Sequence, residues 1–81
     1  MKNLGSAVAD RINKYLNDKD LTQYKLAELS GVPFSTIKSI MQRHTKSINL
    51  KTIILLSHGL NIKPCEFIDD DSFLFDNLDI E

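Results

Sequence analysis

The chain has 81 residues, enough for one small domain with a modest core and little room for a second. Its composition is ordinary for a globular protein, no apolar run approaches the ~20 residues of a membrane span, and no basic-then-apolar leader opens it. The formal net charge of −1 hides a division: residues 1 to 63 hold all ten Lys and Arg against four acids, a formal +6, while residues 64 to 81 hold seven acids and no base, −7.

In chain order, Asn3 or Ser6 is placed to cap a first helix running to about Asn17. Val8, Ile12, Tyr15 and Leu16 give it an apolar face at i, i+4, i+7 and i+8, with Asp10, Arg11 and Lys14 expected outside. Asp18 to Leu21 forms a connection. Thr22 is a good N-cap for a second helix, with Leu21 as its staple. Leu26, Ala27 and Leu29 fall at helical spacing before Gly31, and Ile37 and Ile40 at helical spacing after it. Two short helices are thus expected around a tight turn at Ser30-Gly31-Val32, with Gly31 left-handed. Tyr24 is read as a packing residue beside this turn. The third helix begins near Pro33, where a missing N–H costs nothing, and runs to about Arg43. Ile37, Ile40 and Met41 face inward.

A polar loop, Arg43 to Ser47, leads to Asn49 as the cap of a fourth helix from Leu50 to about His58, with Gly59 ending it. Leu50, Ile53, Leu56 and Leu60 are expected inward, and Ile54 and Leu55 exposed. Lys63-Pro64 starts a short fifth helix, with Phe67 and Ile68 turned in. No segment carries a strand period. The last stretch, Ser72 to Glu81, places Phe73, Leu74, Phe75, Leu78 and Ile80 among acids, too apolar for a solvating tail and too short to fold alone.

Two short helices joined at a left-handed glycine, with a small Ala27 at their approach and apolar plugs behind, specify a helix-turn-helix. Gln23, Ala27, Gly31, Val32, Ile37 and Ile40 resemble the signature of the Cro and phage-repressor-like family. Leu50, Thr52, Ile53, Leu56, Leu60 and Lys63 to Phe67 resemble its fourth and fifth helices, so the likeness covers roughly residues 6 to 68. The resemblance implies an all-α, five-helix DNA-binding domain over 1–68, followed by an acidic-apolar tail over 69–81.

It also implies a function and a site. The expected function is sequence-specific binding of double-stranded DNA by a transcriptional regulator, a repressor, with the helix over 33–43 in the major groove. Phe34, Ser35, Lys38, Ser39 and Gln42 occupy the base-reading positions. Gln suits adenine, Lys suits guanine or phosphate, and an aromatic ring suits a thymine methyl. Thr22, Gln23, Arg43, Thr45 and Lys46 occupy phosphate-binding positions, the first two at a helix N-terminus that offers free N–H groups. A homodimer is the expected state, with Ile54, Leu55, Phe73, Leu74 and Phe75 as dimer or tail contacts. The tail either docks on the fourth helix, in its own chain or a partner's, or lies across the third helix in competition with DNA. The rival reading is an antitoxin or protein-interaction module whose tail engages a protein partner.

Catalysis finds no support. His44 and His58 lie on different elements, and no Cys-x-x-Cys or His-x-x-x-His spacing completes a metal site with Cys65. No cofactor or metal is expected, and no membrane partner. A single cysteine cannot form an internal disulfide, which suits a reducing cytoplasm.

Overall fold

Asn3 sets the first helix. In the computed structural model, which describes residues 2–80, its side chain accepts from the Ser6 N–H at 2.9 Å and starts α1, Leu4–Lys19. The outermost residues of the two expected segments, Met1 and Glu81, lie outside the described residues. Four more helices follow: α2 (Gln23–Ser30), α3 (Phe34–Met41), α4 (Leu50–Gly59) and α5 (Pro64–Phe67). The fold is all-α with five helices, to which a two-residue parallel pair is added. Here β1 (Lys2–Asn3) meets β2 (Leu78–Asp79), with Lys2 opposite Leu78 and Asn3 opposite Asp79. Among the described residues, no helix is long and apolar enough to cross a membrane.

One core unites the helices. Val8, Ile12 and Leu16 of α1, Leu26 of α2, Ile37 and Ile40 of α3, Ile53 and Leu56 of α4, and Phe67 of α5 are all buried in it. Fully burying one such aliphatic side chain contributes ~1.5–3 kcal/mol, which makes this cluster the main source of stability. Each expected cap is present. Thr22 accepts from the Lys25 N–H at 3.0 Å, and Asn49 from the Thr52 N–H at 2.8 Å. Satisfying an otherwise orphaned amide in this way contributes ~1 kcal/mol per helix.

Several side chains depart from the sequence reading. Arg11 is buried, only 7% exposed, where an outward residue was expected. The cause is α5. A four-residue helix leaves acceptor capacity on its last carbonyls, even where, as at Glu66, one accepts a backbone N–H from Asp69 at 3.3 Å. The Arg11 guanidinium supplies donors to them, Nε to the Phe67 carbonyl at 2.7 Å and Nη2 to the Glu66 carbonyl at 2.6 Å. It also sits 5.1 Å from the Tyr15 ring centre and 3.7 Å from the Asp70 carboxylate. Leu50 and Ile68, expected inward, are exposed. Both stand at helix ends, Leu50 as the first residue of α4 and Ile68 as the cap of α5, where helical periodicity has not begun or has already lapsed. Leu29 likewise lies outside the core.

Gly59 is the last residue of α4, but the left-handed residue beyond it is Asn61, at φ 58°. Glycine is needed at 59 for another reason. A Cβ there would stand 2.6 Å from the Ser30 Cβ, so this is where α4 presses against the end of α2.

The C-terminal segment belongs to the fold. Phe73 packs on the core, Leu78 is buried, and β2 pairs with β1. Within the chain its receiving surface is therefore α1 and β1. Of the two α4 residues expected to be exposed, Ile54 is, whereas Leu55 packs against the core. The two strands escape sequence reading because each has two residues, and two positions carry no period.

Candidate nucleic-acid interface

The turn between α2 and α3 is built from three neighbouring residues. Gly31 takes φ 79° and its N–H donates to the Ala27 carbonyl at 3.0 Å, closing α2. The buried Ser30 Oγ accepts from the Val32 N–H at 3.1 Å, which fixes the exit of the chain. Pro33 follows, and its carbonyl accepts from the Thr36 and Ile37 N–H groups to open α3. A side chain at 31 would meet nothing within 4 Å, so glycine is required there by backbone conformation alone.

This turn rotates α3 so that Ile37 and Ile40 are buried while Phe34, Ser35, Lys38 and Gln42 are exposed and Ser39 is half-buried. The base-reading candidates thus share the outer side of one helix. Phe34 has not folded back into the core. Its ring meets Tyr24 edge-on, 5.7 Å between centres. Tyr24 was expected to pack; its ring packs edge-on against Phe34 but is itself 61% exposed. The pair forms an aromatic ridge at the start of α3. The i, i+10 separation of the two rings spans the turn, so only the folded motif reveals it.

The phosphate-binding candidates divide. Thr22 is exposed and Gln23 half-buried at the N-terminus of α2, whose first amides have no partner within the helix. Thr45 is half-buried and Lys46 exposed. Arg43 is committed inside the chain. It adopts φ 65°, and its guanidinium turns back onto α1, donating to the Ser6 carbonyl and to Asp10 Oδ1, each at 2.7 Å. Asp10 also pairs with Lys2. The hydrogen bond from Lys2, then those of Arg43 and both positive charges, hold the Asp10 carboxyl below its ordinary range.

A second tie holds the same loop. The Gly5 N–H donates to the Lys46 carbonyl at 3.0 Å, and a Cβ on Gly5 would overlap the Thr45 carbonyl. Residues 43–46 are therefore clamped to the start of α1 from both ends. The sequence reading named neither Asp10 nor Gly5 in this role. Gly5, a helix-weakening residue in a first turn, was the available signal.

Among the described residues, no three His, Cys, Asp or Glu side chains come together as a metal-binding group. Ile54 is exposed on α4, Leu74 and Phe75 are exposed on the C-terminal segment, and Phe73 is partly buried.

Residues 12–67, most of the chain and the whole of the α2–α3 pair, match the model of a helix-turn-helix family. The chain belongs to that family. This helix-turn-helix protein is 35% identical over 54 residues to the control protein C.SmaI of Serratia marcescens, a match covering 67% of this chain and 63% of that relative's length. Among solved structures it is similar to the restriction-modification controller protein C.AhdI from Aeromonas hydrophila. The TM-score is 0.69 and the identity 27%, over 78% of this chain and 94% of the other. The Cro and phage-repressor-like resemblance is thus supported by family, relative and fold together.

Proposed function

We propose that the chain is a sequence-specific double-stranded DNA-binding protein that acts as a transcriptional regulator. The observation that carries this reading is α3 itself: fully buried at Ile37 and Ile40, and polar or aromatic and exposed at Phe34, Ser35, Lys38 and Gln42. A helix presented this way fits the major groove, with its early residues at base edges. Ser35, Lys38, Ser39, Gln42 and the Tyr24–Phe34 ridge read bases. Thr22, Gln23, Thr45 and Lys46 meet phosphates. Arg43 holds the loop in place for Thr45 and Lys46 rather than contacting the backbone itself. The likeness to two proteins named as controllers supports regulation over toxin neutralisation. The regulator works as a two-fold homodimer, since one eight-residue recognition helix reads too few bases alone.

Selection of bound duplexes from a random library tests this. The expected result is an inverted repeat with half-site centres ~10 bp apart. Phe34→Ala or Ser39→Ala should shift the preferred bases at one position, at a cost of roughly 1–3 kcal/mol there. A library from which no sequence is enriched would overturn the reading.

A further inference from the structure

An apolar cleft of about 490 Å³ opens between α1, α4, α5 and the C-terminal segment. Ile53 lies at its floor, and Leu50, Cys65 and Ile68, all exposed, stand on its walls. No residue of α2 or α3 lines it, so an occupant leaves the recognition helix free. Phe73 and Leu78 also line it, and they bracket the short 3-10 turn at Phe75–Asn77. That turn is held by its own bonds. The Asn77 N–H donates to the Leu74 carbonyl at 2.9 Å, and Asn77 Nδ2 to the Asp71 carbonyl at 2.7 Å. Phe75 is nevertheless 78% exposed, and Leu74 beside it is exposed too. A fixed turn, carried between two residues that line the cleft, thus holds a large apolar knob in solvent.

We infer that the cleft receives the Leu74–Phe75 turn of a second copy of this chain, and that the exchange is reciprocal. A two-fold interface must be self-complementary, using one patch on both partners. A knob carried between two residues that line a cleft meets that condition, because one rotation fills both clefts. Charge agrees with the assignment. Lys51 follows Leu50 and Lys63 precedes Pro64, two residues of the cleft lining, and both are exposed with no ion-pair partner among the described residues. Asp76, likewise without an ion-pair partner among the described residues, follows Phe75 on the incoming turn. Exposed apolar side chains are found both on the cleft, at Leu50 and Ile68, and on the turn, at Leu74 and Phe75. The inference rests on the homodimer reading above and specifies its interface.

The lone thiol of Cys65 on the cleft wall provides the test. Phe75→Cys in the full chain, oxidised with diamide, should give a reducible covalent dimer with Cys65 of the other copy. The band should vanish when Cys65→Ser is added. Phe75→Glu should weaken dimerisation in sedimentation equilibrium by about 30-fold or more, the size expected of a central anchor, with helical content unchanged. A crosslink that stays within one chain, or that survives Cys65→Ser, overturns the inference. So does a Phe75→Glu protein that dimerises like the wild type; the homodimer would then stand on another surface. A wild-type chain that stays monomeric, free and on its selected DNA, overturns inference and homodimer together.

Discussion

The α2–α3 motif and the C-terminal segment are held by opposite kinds of interaction. Nearly everything that shapes the motif lies within a few residues: the Thr22 cap, the left-handed Gly31, the Ser30 hydroxyl on Val32 and the Pro33 carbonyl that opens α3. The C-terminal segment and the α5 helix before it are held from the far end of the chain, the segment by β1 against β2 and α5 by Arg11 reaching the carbonyls of Glu66 and Phe67. Local shaping makes a motif readable and robust to changes elsewhere. Remote shaping makes a segment depend on single residues more than 50 positions away.

The sharpest way to break this contrast is at Arg11. Arg11→Met keeps most of the stem but removes two charge-assisted hydrogen bonds, one to the buried Phe67 carbonyl and one to the part-buried Glu66 carbonyl. A loss of about 3 kcal/mol is expected, or ~15 °C in Tm for a domain of this size. Amide exchange should rise first in α5 and the segment after it. A uniform rise that includes α2 and α3 would show that the two regions unfold as one unit. Leu78→Ala should follow, at about 2 kcal/mol, because it removes the buried anchor of β2. Unchanged thermal stability in that variant would mean that the strand pair contributes nothing.

On the motif side, Gly31→Val should cost roughly 1–2 kcal/mol, from backbone strain alone, since space is open around position 31. Gly31→Asn should cost clearly less, because asparagine tolerates the left-handed region. Equal losses would point to a packing role instead. The smallest effect concerns Asp10. Its carboxyl titrates below its ordinary value of 3.8, so its pairing with Lys2 and Arg43 stabilises the fold above that pH. The contribution is lost as pH falls from about 3.8 through the lower folded value. All three side chains are partly exposed and screened, so it amounts to under about 1 kcal/mol. The stability gap between wild type and Asp10→Asn should be flat near neutrality and close only in acid; a gap that closes at pH 6 would assign it to another group.

The same contrast explains what the sequence could reveal. The caps at Asn3, Thr22 and Asn49, the conformation of Gly31 and the inward residues of α3 were legible because each is fixed by its neighbours. Leu50 and Ile68 were misread because apolar periodicity fails at helix ends. Arg11 looked like a solvated residue because its partners arrive from α5, and Gly59 looked like a helix terminator because Ser30 arrives from α2. In the candidate interface the outer side of α3 followed from spacing. The Tyr24–Phe34 contact and the Arg43–Asp10 pair did not, since each joins two elements across a turn or most of the domain.

The Arg43–Asp10 pair has a thermodynamic consequence for the proposed DNA complex. Protein binding to duplex releases condensed cations, one for roughly each phosphate that a protein charge neutralises, and this sets how steeply affinity falls with ionic strength. An arginine that shares a carboxylate of its own chain with Lys2 brings less than a full charge to the phosphate lattice. Counting the basic residues near α3 would then overstate the number of cations displaced. In such a complex the slope of log affinity against log salt would reflect chiefly lysines that form no ion pair among the described residues, such as Lys38 and Lys46, with Arg43 adding less than a full count while it shapes the loop.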